Sequence, residues 1–75
     1  MTRIAVIGLG SFGMALARAL DRLGAHVTAV DNVLAHIEAI RDDAHTAIRM
    51  DGRDRAALME QGIHRVDIAV VCMGE

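Results

Sequence analysis

Between the apolar run Ile4-Ala5-Val6-Ile7 and the helical pattern that opens at Met14 stands Gly8-Leu9-Gly10-Ser11-Phe12-Gly13, a Gly-x-Gly-x-x-Gly turn. A second apolar run, His26-Val27-Thr28-Ala29-Val30, ends in Asp31, eighteen residues past the third glycine. Strand, glycine turn, helix, strand and terminal acid, in that order, form the fingerprint of a dinucleotide-type site. Gly8 lets the chain leave the strand in a tight turn. Gly10 removes a side chain where backbone must approach a phosphate, and Gly13 lets the helix lie close to its strand. Free N–H groups at the helix start, aided by the helix dipole, favour a diphosphate there. Asp31 is placed to accept from both hydroxyls of a ribose, and its charge disfavours a 2′-phosphate, hence NADP.

The rest of the chain alternates between two periods, the mark of a parallel α/β sheet. Strands are expected at about Arg3 to Ile7, Ala25 to Val30, Thr46 to Met50 and Asp67 to Met73. Three crossover helices are expected between them. The first runs from Ser11 to Leu23, with Phe12, Leu16, Ala19, Leu20 and Leu23 as its apolar stripe and Gly24 as its stop. The second starts at Asn32, read as an N-cap, carries Val33, Ile37 and Ile40 inward, and ends near Asp42-Asp43. The third runs from Asp54 to Gln61, with Leu58 inward and Gly62 as its stop. The predicted fold is a Rossmann-like parallel sheet of order 3-2-1-4. Ile68-Ala69-Val70-Val71-Cys72 reads as a central strand covered on both faces, yet the pattern ends just past it. Such an edge is an aggregation hazard, so residues 1–75 are expected to be part of a larger, truncated nucleotide-binding domain, the alternative being that the chain completes itself by association.

Composition narrows the partners. A formal charge of −2 lacks the basic surplus of a nucleic-acid binder. With 53% apolar residues but one aromatic, Phe12, the core must be aliphatic. Cys72 is the only cysteine, which excludes a disulfide framework and a thiolate metal site. No apolar run is long enough to span a bilayer, and no signal peptide is legible. The expectation is a cytoplasmic location without membrane insertion.

Taken together, these segments make the chain resemble the nucleotide-binding half of the regulator-of-potassium-conductance domains, also called KTN or TrkA-N domains. The likeness is carried by Ile7 through Gly13, by Ala29-Val30-Asp31, by Met50-Asp51-Gly52-Arg53-Asp54, and by Leu58, Gly62-Ile63 and Asp67 through Val71. The third segment resembles the family's Gly-Asp-Ala-Thr-Asp signature, and Met73-Gly74-Glu75 its usual Ile-Gly-Glu. The resemblance implies that Gly10, Ser11, Phe12 and Gly13 hold phosphates and that Asp31 holds the adenosine ribose with Asn32 beside it. It implies that Asp51 and Gly52 border the adenine. It further implies a ligand among NAD(H), ATP and ADP, assembly into dimers or octameric rings, and a potassium channel or transporter subunit as membrane partner. The chain would then sit at the inner membrane only through that partner. Two positions depart from the family. Ser11 stands where many members carry Arg, which weakens the case for ATP, and Met50 replaces the Gly before the signature Asp.

Other residues read more plainly. Asp51 also suits a cap on the third helix, and Arg53 and Arg55 read as solvated helix-surface residues. His26, His36, His45 and His64 lack metal-ligand spacing, with His36 alone on a helix face. Cys72 reads as an inert core thiol, and Met14, Met50, Met59 and Met73 as aliphatic filler. No catalytic base or nucleophile is legible beside the glycine turn. The alternative reading is the N-terminal cofactor-binding half of an NAD-dependent oxidoreductase, whose catalytic residues would lie elsewhere.

Overall fold

The computed structural model describes residues 2–73, so Gly74 and Glu75 of the expected Ile-Gly-Glu ending lie outside the described residues. Four strands, β1 (Arg3–Ile7), β2 (His26–Asp31), β3 (Thr46–Arg49) and β4 (Ile68–Val71), form one sheet of order β3-β2-β1-β4. All three pairings are parallel. Helices α1 (Ser11–Arg22), α2 (Leu34–Ile40) and α3 (Arg55–Glu60) make the crossovers. The predicted Rossmann-like α/β architecture and strand order are therefore those observed.

The two-residue period of the strands divides the core. Ile4, Val6, Val27 and Ala29 pack with Leu9, Ala17, Ile37 and Ile40 under α1 and α2. Ala5, Ile7 and Val30 pack with Ile63, Leu58 and Val66 on the opposite face. Leu58 thus points inward as expected. β4 pairs only with β1, and Ile68 and Val71 stay largely exposed, so among the described residues it is an edge strand and not a covered central one.

Three local expectations need correction. The buried face of α1 is Gly13 and Ala17, flanked by Met14 and Leu20, while Phe12 is 70% exposed and Leu23 82% exposed. The helix lies too close to the strands for large side chains to stand between them. Asn32 does not cap α2; Val33 holds that position, itself exposed, because the Asp31 carboxylate already takes the Val33 N–H at 2.8 Å. Helix α2 ends at Ile40 and a 3₁₀ turn, Arg41–Asp43, completes it.

Asp54, not Asp51, caps α3: its side chain accepts from the Ala57 N–H at 3.1 Å. Gly62 follows at φ +77°, a left-handed conformation that stops the helix and aims the 3₁₀ turn Ile63–Arg65 back at the sheet. Asp54→Ala is expected to cost about 1 kcal/mol in a denaturant melt, whereas Asp51→Ala leaves the α3 cap intact.

Candidate functional site

The carboxyl ends of β1, β2 and β3 converge, and each contributes a loop. From β1 the chain turns at Gly8, with φ +101°, and the Gly8 N–H donates to the Val30 carbonyl at 2.8 Å. Leu9 then buries its side chain at 1% exposure, which pins the turn to the core. Gly10 is extended, with φ −69° and ψ −166°, and α1 begins behind it. The first turn of α1 has no side-chain cap and no acid, so its N–H dipoles face outward uncompensated. Ser11 and Phe12 are exposed on that turn.

The three glycines serve different ends. A Cβ on Gly13 would drive into the Gly8 carbonyl oxygen, and one on Gly8 would come within 2.8 Å of the Met73 nitrogen. Both are required by the protein's own packing. A Cβ on Gly10 would meet nothing among the described residues within 4 Å, and its backbone angles suit any residue. Beyond the mild preference for glycine at an N-cap, neither its backbone angles nor its packing requires glycine at position 10.

From β2 comes Asp31, its side chain only 9% exposed. One oxygen accepts from the Leu9 N–H at 2.6 Å and meets His36 Nδ1 at 3.1 Å; the other accepts from the Val33 N–H. Burial works against the charge, but the Val33 and Leu9 N–H groups and then His36 outweigh it, holding the carboxyl below its usual range. Asp31 therefore ties the glycine turn to the start of α2. His36 is not alone on its helix face. Its five-residue offset from a strand-ending acid places it back over that acid across the strand–helix junction.

From β3 comes the Met50-to-Asp54 loop. Asp51 accepts from the Arg53 N–H at 2.9 Å, an Asx-type turn, and pairs with the Arg53 guanidinium at 3.2 Å. The Arg53 main-chain N–H first, then the guanidinium, lower the Asp51 carboxyl, and the Asp51 carboxylate in turn raises Arg53. Gly52 is required where it stands, since a Cβ there would run into the Ile7 side chain. Asn32 presents its carbonyl to the Arg49 Nε at 3.2 Å.

These loops enclose a hollow of about 90 Å³ lined by Gly8, Asp31, Asn32, Asp51 and Gly52, together with Ile7, Val30, Arg53 and Met73. Gly10, Ser11, Phe12 and Gly13 lie on the adjoining turn, outside that lining. Arg53 and Met73 were not expected there. Arg53 is in the loop before α3, not on the helix surface, and Met73, read as aliphatic filler, fills the space beside Gly8 and Gly52. Cys72, partly buried just past β4, packs on the α1 side of the core, close to Gly13. Among the described residues, no three His, Cys, Asp or Glu side chains cluster as metal ligands.

Comparison with known proteins bears on this geometry. The family model for the TrkA-N domain matches residues 4–75. Over 71 residues, 95% of the chain, the sequence is 34% identical to the Ktr system potassium uptake protein C of Bacillus subtilis (strain 168). Those residues amount to 32% of that protein, so the chain spans about a third of the length of this curated relative.

Proposed function

The chain belongs to the TrkA-N domain family, and from that premise we propose that it is a regulatory nucleotide-binding module of a potassium-uptake or potassium-channel system. The observation that carries the nucleotide reading is Gly10. It is a glycine that neither backbone angle nor packing demands, set at an uncapped helix start beside a buried carboxylate. A phosphate approaching that backbone supplies the missing reason.

The residues present fit an adenine nucleotide. Gly10 and the N–H groups of Ser11, Phe12 and Gly13 would hold phosphates, and Asp31 the ribose, with Asn32 beside it. Asp51, Gly52 and Arg53 would border the base. A carboxylate offers about four acceptor positions, and Leu9, Val33 and His36 occupy three of them on Asp31. One ribose hydroxyl can join directly; a second takes the place of His36. Ser11 offers no cation to a terminal phosphate, which favours NAD(H) or ADP over ATP. The buried negative charge of Asp31 disfavours a 2′-phosphate.

In this reading the nucleotide is a signal. It shifts a pre-existing equilibrium between arrangements of protomers by its differential affinity for them, and a membrane transporter subunit reads the result. The relative named for a potassium uptake system supports that partner, and the proposed setting is an oligomer at the cytoplasmic face of the membrane.

Calorimetric titration with NADH, NADPH, ADP and ATP tests the site. NADH or ADP is expected to bind saturably and more tightly than ATP. NADPH is expected to bind at least about tenfold more weakly than NADH, the weight of one charge-assisted contact turned repulsive. Absence of binding by all four sinks the nucleotide reading.

A further inference from the structure

A second hollow, of about 350 Å³, opens at the other end of the sheet, between the amino-terminal ends of β1, β2 and β3 and the turn after α3. It shares no lining residue with the nucleotide hollow. Its polar lining comes from Arg3, His26, Thr28, Thr46, Gln61 and Arg65, and no Asp or Glu among the described residues contributes to it. Thr28 and Thr46 are register partners on adjacent parallel strands, so their hydroxyls share the sheet face that floors the hollow. The left-handed Gly62 turn and the buried Ile63 fix the segment that carries Gln61 and Arg65 over the same floor.

Thr28 is the telling residue. It is buried, at 9% exposure, and unlike the Asp31 carboxylate its side chain has no hydrogen-bond partner among the described residues. Among the described residues no buried polar side-chain atom is sealed off without a partner, so this hydroxyl faces the hollow it lines. On a buried strand face valine would fill the same space without a polar group to satisfy. Threonine there makes sense when something in the hollow bonds to it.

The charge of the lining says what that something is. Arg3 and Arg65 bring donors and no acceptors. Asp67 at the rim accepts from the Arg3 main-chain N–H at 2.8 Å, and no ion pair joins it to either guanidinium. We propose that this hollow is an oxyanion site, taking a phosphate or phosphomonoester group between the Arg3 and Arg65 guanidiniums with the Thr28 and Thr46 hydroxyls as further donors. Partial burial first, then His45 and Arg3, already disfavour the charged form of His26 beside it. A bound anion relieves that field.

NMR titration of the protein, saturated with ADP to occupy the glycine turn, tests the proposal at constant ionic strength. Inorganic phosphate and glycerol phosphate are titrated separately while the Thr28 and Thr46 amides and the His26 ring are followed. Saturable shifts at these groups are expected with at least one of the two, and the tighter one names the source of the group. The His26 pKa is expected to rise on binding. Thr28→Val and Arg65→Gln are each expected to weaken binding about tenfold or more, the weight of a lost charge-assisted hydrogen bond, with ADP affinity unchanged. Arg65 is exposed, so its substitution decides the matter if the threonine variant fails to fold. No saturable shift, shifts equalled by chloride, or shifts that survive Arg65→Gln overturn the site.

Discussion

Asp31→Ala is expected to lower nucleotide affinity about 100-fold or more and to destabilise the fold by about 2–4 kcal/mol, because one carboxylate serves both ends. The Leu9 N–H donates to it at 2.6 Å and the Val33 N–H at 2.8 Å, at a side chain only 9% exposed. Removing it leaves a main-chain donor inside the glycine turn without a partner and frees the turn from β2. The ribose loses its acceptor in the same step. Asp31→Asn separates the two effects. Its shape is conserved and its amide oxygen still accepts from one of the two N–H groups, but its NH2 faces the other and no charge remains, so binding falls while the fold suffers less.

The acid limb provides an independent reading of the same residue. The Asp31 carboxyl is held below its usual value in the folded protein. Its contribution to stability is therefore complete above the ordinary carboxylate pKa, about 4, and is lost as pH falls through the lower folded value. The stability gap between the native chain and Asp31→Asn should thus be widest near neutrality and close below about pH 4. Asp51, lowered in the same sense, is present in both proteins and cancels. Urea melts across pH 2 to 7 measure this directly. A gap that persists at low pH, or full nucleotide affinity in Asp31→Ala, removes Asp31 from its central place.

Strand order and the glycine turn were legible because each rests on a local signal with one geometric solution: apolar runs at strand length and glycines at fixed spacing. Other features depend on how close two elements approach. The large apolar residues of α1 suggested a stripe through Phe12 and Leu23, yet Gly13 and Ala17 face the sheet because only small residues fit there. The same logic misplaced the caps. Asn32 and Asp51 are good cap types, but Asp31 supplies the bond at the start of α2 and Asp54 the one at α3. Asp51 is engaged by Arg53 instead, which is why Arg53 lies in the hollow. His36 was invisible as a site residue because its contact spans a strand–helix junction that periodicity does not describe.

The sharpest contrast available lies within the glycine turn itself. Gly13→Ala is expected to destabilise the protein by about 3 kcal/mol or more, the upper range of overpacking, since the new methyl would occupy the Gly8 carbonyl oxygen's place and press on Cys72. For a chain of 75 residues that is a large share of total stability. Gly10→Ala should be nearly silent in the same melt. Its methyl meets nothing among the described residues within 4 Å and its φ of −69° is ordinary. The gain from a stiffer unfolded chain and the loss of a preferred N-cap residue cancel to within about 0.5 kcal/mol. Yet Gly10→Ala is expected to weaken NADH or ADP about tenfold or more, because its methyl stands where a phosphate must meet the backbone. A methyl that costs the fold nothing and binding a great deal marks a surface shaped for a ligand. If Gly10→Ala binds as tightly as the native chain, the phosphate does not lie at the second glycine. If instead it unfolds the protein, the open space beside Gly10 is not there.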